Sequence, residues 1–232
     1  MGKHINIIFL LVLVSIFTGC SENDTSINKV DYFPLQTGNF WVYSVDHLVW
    51  LDNVSTVYNY EEMDSVIYVD FFENKDFKAI VHRYRKQNLS VWEPIETYSI
   101  EKSGNKYILN QNNSLKVILV DGVPMNGTEW ISNAFDISSQ NVFEYYNGKY
   151  ISETVGSSLI CENCIEVQQR YLMDCVTENF NDYVIFKPDI GPVYQSVLYH
   201  SVNQTKTTLG CIDLYIDFGY EETREITNYL IQ

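Results

Sequence analysis

The clearest order in this chain is alternation. In CIDLYIDFGY (211–220), Ile212, Leu214, Ile216 and Phe218 fall on one side, with Cys211, Asp213, Tyr215 and Asp217 on the other. This is the pattern of a strand with one face buried and the other wet. IEVQQRYLMDC (165–175) groups Ile165, Val167, Tyr171, Met173 and Cys175 opposite Glu166, Gln168, Arg170 and Asp174. SVIYVDFF, FKAIVHRYR and LKVILVDG also read as strands, the last more buried because its apolar run is nearly continuous.

Turn residues punctuate these runs at hairpin spacing: ENKD (73–76), SGNK (103–106), QNNS (111–114), DG (121–122), YNGK (146–149) and KPDIGP (187–192). The spacing predicts an antiparallel meander of ten or more strands, with little helix. The expected class is all-β, a β-sandwich or a partly open barrel. FPLQTGNFW (33–41) and VPMNGTEW (123–130) echo each other, suggesting two similar halves, about 31–120 and 121–232.

Composition supports strands, since 15% of residues are aromatic, 18 of them tyrosines. The formal net charge of −15 becomes −16 once residues 1–19, with Lys3, are removed. Such acidity argues against nucleic acid as a partner, because that binding rests on Lys and Arg neutralising phosphates. It argues equally against an electrostatic grip on anionic lipid.

Residues 1–19 have the parts of an export signal: Lys3 and His4, an apolar run from Ile7 to Phe17, then small residues. The run is too short to cross a bilayer as a helix, which takes about 20 residues. Phe17-Thr18-Gly19-Cys20 resembles the lipobox of bacterial lipoproteins, which implies cleavage before Cys20 and acylation of that cysteine. Residues 20–30 would then be a hydrated tether. Its Ser21-Glu22-Asn23-Asp24 start is similar to the acidic signal of surface-exposed lipoproteins in Bacteroidota. The β-rich domain is expected over 31–232.

DYFPLQTGNFWVY (31–43) resembles the start of the mature domain in a set of Bacteroidota-type lipoproteins, with its Phe-Pro-Leu, Gly, Trp and Tyr. VGSSLICENCIEV, FKPDIGPVYQS and REITNYLI are similar to later strand approaches and to the closing strand of the same set. The resemblance implies an outer-membrane address, attachment to the membrane through N-terminal acyl chains, and a β-rich domain. It brings no activity with it.

Four cysteines remain beyond Cys20: Cys161, Cys164, Cys175 and Cys211. In an oxidising envelope they suggest two disulfides, with three possible connectivities. The meander places Cys161 and Cys164 just before a strand beginning near Ile165. It also puts Cys175 and Cys211 at the same end of the sheet, which favours Cys161–Cys164 and Cys175–Cys211. A redox CxxC would want a helix after it, and a zinc site a second close pair.

No catalytic constellation or metal motif is present, and no cofactor is implied. His47, His82 and His200 form no HExxH, and Gly156-Ser157-Ser158 is not a nucleophile elbow. Glu61-Glu62, Glu221-Glu222 and Asp213 with Asp217 read as solvated charge, the last pair about 13 Å apart along a strand. Tyr145, Tyr146 and Tyr150 are the candidate binding aromatics. The expected function is a non-catalytic binding or assembly module whose partner is an envelope protein, a glycan or an apolar ligand. A carrier of lipid or apolar ligand, and a hydrolase built from distant carboxylates, are the alternatives.

Overall fold

In the computed structural model, the described residues are 31–72, 76–86, 91–111, 115–122, 126–132, 145–156, 159–173, 177–203 and 214–232. The expected signal segment and tether, with Cys20, lie outside them, as do Cys175 and Cys211. Residues 31–232 form one compact unit.

Twelve strands follow one another: β1 (Phe40–Leu51), β2 (Val54–Phe71), β3 (Phe77–Lys86), β4 (Glu93–Ser103), β5 (Lys106–Gln111) and β6 (Leu115–Asp121), then β7 (Thr128–Ile131), β8 (Tyr145–Val155), β9 (Leu159–Met173), β10 (Glu178–Lys187), β11 (Gly191–Val202) and β12 (Ile216–Leu230). All pairings are antiparallel. Spatial order is β6-β5-β4-β3-β2-β1-β12-β11-β10-β9-β8-β7, so each strand lies beside its sequence neighbours and β12 pairs with β1. The sheet curls into a nearly closed barrel. Its last gap lies between β6 and β7, where Ile118 N donates to the Ser132 carbonyl (2.8 Å) and the Trp130 indole N–H to the Ile118 carbonyl (2.9 Å). Such closure removes the exposed strand edge that invites pairing with another chain. The strands fall six and six about the connection after Asp121, with Trp41 in β1 and Trp130 in β7.

Apolar residues in phase along the strands fill the inside: Val45, Val66, Ala79, Val81, Ile100, Ile108, Ile165, Val167 and Val184 are all buried. The chain enters by closing one barrel end. Phe33 and Leu35 are buried there, and Phe33 stacks on Tyr107 (centroids 4.5 Å apart) and lies against Phe186 (4.7 Å). The segment is tied down by Asp189 N donating to the Asp31 carbonyl, 2.7 Å, and by Asn39 Nδ2 donating to the Pro34 carbonyl, 2.6 Å. The Trp41 indole donates to the Ile190 carbonyl in the β10–β11 turn. Gly191 in that turn has φ +101°, and a Cβ there would stand 3.3 Å from Trp41 Nε1. Only glycine meets both conditions without strain.

Two sequence expectations change. YNGK (146–149) is not a turn but the start of β8, where Gly148 pairs with Thr128 on one side and Val167 on the other. Ladders on both flanks outweigh the local turn preference of Asn-Gly. REITNYLI does fall in the closing strand, which begins earlier, at Ile216. Cys161 and Cys164 do not precede their strand but lie inside β9, bonded to each other, with Asn163 between them at φ +56°.

Candidate functional site

The barrel interior is polar in its middle. Along β2, Tyr60, Glu62, Asp64 and Val66 share the inward face, and the facing residues of β3 are Val81, Arg83 and Arg85. Pairing sets Glu62 opposite Arg85 and Asp64 opposite Arg83. Glu62 is 3% exposed and Asp64 4%, correcting the expectation that the Glu61-Glu62 pair is solvated charge. Arg83 grips Asp64 through both ends of its fork, Nε to Oδ1 at 2.7 Å and Nη2 to Oδ2 at 3.0 Å. Arg85 donates from Nε (3.1 Å) and Nη2 (2.8 Å) to Glu62 Oε1. From β12, Arg224 Nη2 reaches Glu62 Oε2 and Asp64 Oδ2, both at 3.1 Å. Each of these guanidiniums lies over a ring: Arg224 over Tyr43 (4.4 Å), Arg85 over Tyr60 (4.2 Å) and Arg83 over Tyr98 (5.2 Å).

Burial alone would raise the Asp64 carboxyl, but Arg83 and Arg224 overcome it and hold it at about 2. Burial pushes the Tyr43 and Tyr98 phenols up, and the Asp64 charge adds to it. Tyr60 is raised by burial and then by Glu222, which accepts its hydroxyl at 3.1 Å. His47 Nδ1 lies 3.1 Å from that same Glu222 oxygen.

A second charged pair enters through a bulge. Opposite Asp182 and Tyr183, β9 supplies Arg170 and Gln168, leaving Gln169 as the extra residue. Such a bulge reverses the alternation beyond it. Arg170 therefore turns inward, its Nε 2.6 Å from Asp182 Oδ2, while Tyr171 is 66% exposed. The alternation that grouped Tyr171 with Ile165 and Val167 is corrected at this point. Burial raises the Asp182 carboxyl, and Arg170 only partly offsets it.

Between this polar layer and the closed end lies a cavity of about 410 Å³. Phe33, Ile100, Leu109, Val117, Leu119, Val184 and Phe186 give it an apolar part. Asp64, Arg83, Arg170, Asp182, Arg224 and the amides of Gln111, Gln169 and Gln195 give it a polar part. The volume is within the usual range for small-molecule sites, about 300–1,000 Å³.

Of the tyrosines singled out from sequence, the side chain of Tyr150 is described. Tyr145 and Tyr146 are in β8, with side chains outside the described residues. Tyr150 is 41% exposed, and its backbone N–H donates to Asn126 Oδ1. Tyr150 does not line the cavity. Among the described residues, no group of three or more His, Cys, Asp and Glu is placed to hold a metal. The arginine–carboxylate layer was missed by sequence reasoning, yet a signal existed. Acids in phase with Tyr60 and Val66 face bases in phase with Ala79 and Val81 across a readable hairpin.

No family model, curated protein or solved structure matches this chain, so a functional conclusion rests on the geometry of the barrel interior.

Proposed function

We propose that this protein is a non-catalytic binding module of the cell envelope, anchored through Cys20, that carries a small apolar or amphiphilic ligand inside its barrel. The observation that carries the reading is the cavity of about 410 Å³, apolar towards the closed end and polar at the arginine layer. A filled core would leave no such volume, since interiors pack with few voids larger than a water. The carboxylates beside it suit holding rather than turnover. Asp64 is fixed by two guanidiniums and Asp182 by one, which makes a preorganised polar wall instead of a free acid and base. The lipobox resemblance and acidic tether support an outer-membrane lipoprotein, surface-exposed by the similarity of its Ser-Glu-Asn-Asp start.

The test is a solvatochromic naphthalene dye titrated into the whole chain and into Leu119→Trp, which fills the cavity from β6. Saturable blue-shifted emission in the wild type, lost in the variant, supports the reading. Equal binding by both proteins, or by neither, contradicts it.

A further inference from the structure

Beyond the arginine–carboxylate layer, at the barrel end away from Phe33, inward-facing side chains are no longer buried. Val45 is followed in phase along β1 by His47, Val49 and Leu51, and Glu62 along β2 is in phase with Tyr60 and Tyr58. Arg224 along β12 is in phase with Glu222, Tyr220 and Phe218, and the pairing does not slip over these stretches. Yet Leu51 is 70% exposed, Phe218 50% and Tyr58 48%, so this part of the wall borders an open bay. Rings run along it from strand to strand. Phe180 stacks on Tyr199 (centroids 5.0 Å apart), Tyr199 meets Tyr220 (6.0 Å), Tyr220 meets His47 (6.0 Å) and His47 meets Tyr58 (6.4 Å). None of these rings lines the cavity of about 410 Å³.

Two observations set the charge that suits the bay. In the layer below, Arg83, Arg85, Arg170 and Arg224 are matched in number by Glu62, Asp64, Glu96 and Asp182. Glu222 stands above that balance: its Oε2 accepts the Tyr60 hydroxyl (3.1 Å) and lies 3.1 Å from His47 Nδ1, and its side chain is partly exposed. Glu178, on the strand of Phe180, accepts the Tyr199 hydroxyl at 3.3 Å. The second observation is a repeated grouping. The layer gives each of Arg224, Arg85 and Arg83 both a carboxylate and a ring, Tyr43, Tyr60 and Tyr98 in turn. The bay repeats the carboxylate and the rings, but among the described residues no Lys or Arg lies over Tyr58, Tyr199 or Tyr220. A cation on an aromatic face beside a carboxylate is attracted by both.

We infer that this bay is a second binding site, for an organic ammonium ion, protonated or quaternary, received by the Tyr199 and Tyr220 rings with Glu222 as its counter-charge. It goes beyond the cavity reading and does not depend on it. An anion would meet the repulsion of Glu222 and Glu178. The formal net charge of −15 adds a long-range attraction for cations.

The experiment is calorimetric titration of the whole chain with choline, with glucose, and with 3,3-dimethylbutanol, which has the shape of choline without its charge. Choline is expected to bind one per chain and about tenfold tighter than the alcohol, because a cation on an aromatic face gains about that factor. Glu222→Gln, which keeps an acceptor for the Tyr60 hydroxyl, should cut this preference to within about threefold. Tyr199→Leu should weaken choline about fivefold and leave the alcohol within about twofold. It lies on another strand, so with folding checked by circular dichroism it keeps the test valid if Glu222→Gln misfolds. Leu119→Trp, which fills the cavity, should bind choline as the wild type does. Choline binding no tighter than the alcohol, a preference unchanged in a folded variant of Glu222 or Tyr199, or loss of choline in Leu119→Trp overturns the inference. Glucose binding in place of choline overturns it too, and assigns the bay to a glycan. The cavity reading stands or falls by the dye titration alone.

Discussion

Asp64 shows how one residue couples the fold to its electrostatics. It is a carboxylate inside a barrel, held at about 2 by Arg83 and Arg224 against the cost of burial. Because its folded value lies below the ordinary 3.8, the stability it contributes is full above that value and is lost as pH falls through 2. The shift corresponds to about 2 kcal/mol. Asp182 acts with the opposite sign: its raised carboxyl favours the fold below the ordinary carboxylate range, and that contribution fades as pH rises through its folded value. Asp64→Asn should cost about 3 kcal/mol at pH 7, since it leaves two buried guanidiniums short of a partner. It should also flatten the fall in urea midpoint between pH 4 and 2 relative to wild type. Parallel wild-type and variant curves would refute the role given to Asp64. At this scale much of the site was unreadable in sequence. Acidic residues at alternate strand positions mean solvent in most sheets, and only register, Glu62 against Arg85 and Asp64 against Arg83, reveals that this face is inside.

Among the elements, the closing segment and the disulfide within β9 make separable claims. Phe33 is buried against Tyr107 and Phe186, so Phe33→Ala should lower stability by about 3–5 kcal/mol in equilibrium unfolding. A change below 1 kcal/mol would mean that the segment does not cap the barrel. Cys161 and Cys164 close a short loop within β9, worth about 2 kcal/mol in the chain-entropy account. The Cys161→Ala, Cys164→Ala pair should be destabilised by that amount with binding of the naphthalene dye unchanged, because neither cysteine lines the cavity. Strands were the legible part: FKAIVHRYR and LKVILVDG coincide with β3 and β6, and KPDIGP falls at the β10–β11 reversal. Bulges were not legible. A single extra residue at Gln169 turns Arg170 inward and Tyr171 outward, and nothing in the local alternation announces it, because pairing with β10 decides where the ladder slips. YNGK failed for a related reason: tertiary pairing on two flanks outvoted turn propensity.

The whole molecule is an up-and-down meander whose first and last strands pair, leaving its gap between β6 and β7. There Trp130 and Ser132 meet Ile118 by hydrogen bonds instead of a regular ladder. Trp130→Phe should speed amide exchange in β6 and β7 before it does so in β1, β2 or β12, since one bond of this kind is worth about 1 kcal/mol and the other strands are laddered on both sides. Closure into a barrel was within the expected class, but whether its interior was full or hollow could not be read from alternation, which gives direction and not volume. That interior is the centre of the functional account. The most direct test is native mass spectrometry of the whole protein taken from its own cells, beside the Leu119→Trp variant prepared identically. One small amphiphile per wild-type chain, lost on denaturation and absent from the variant, is the predicted result. A bare wild-type mass, or the same adduct on both proteins, would contradict a ligand held inside the barrel.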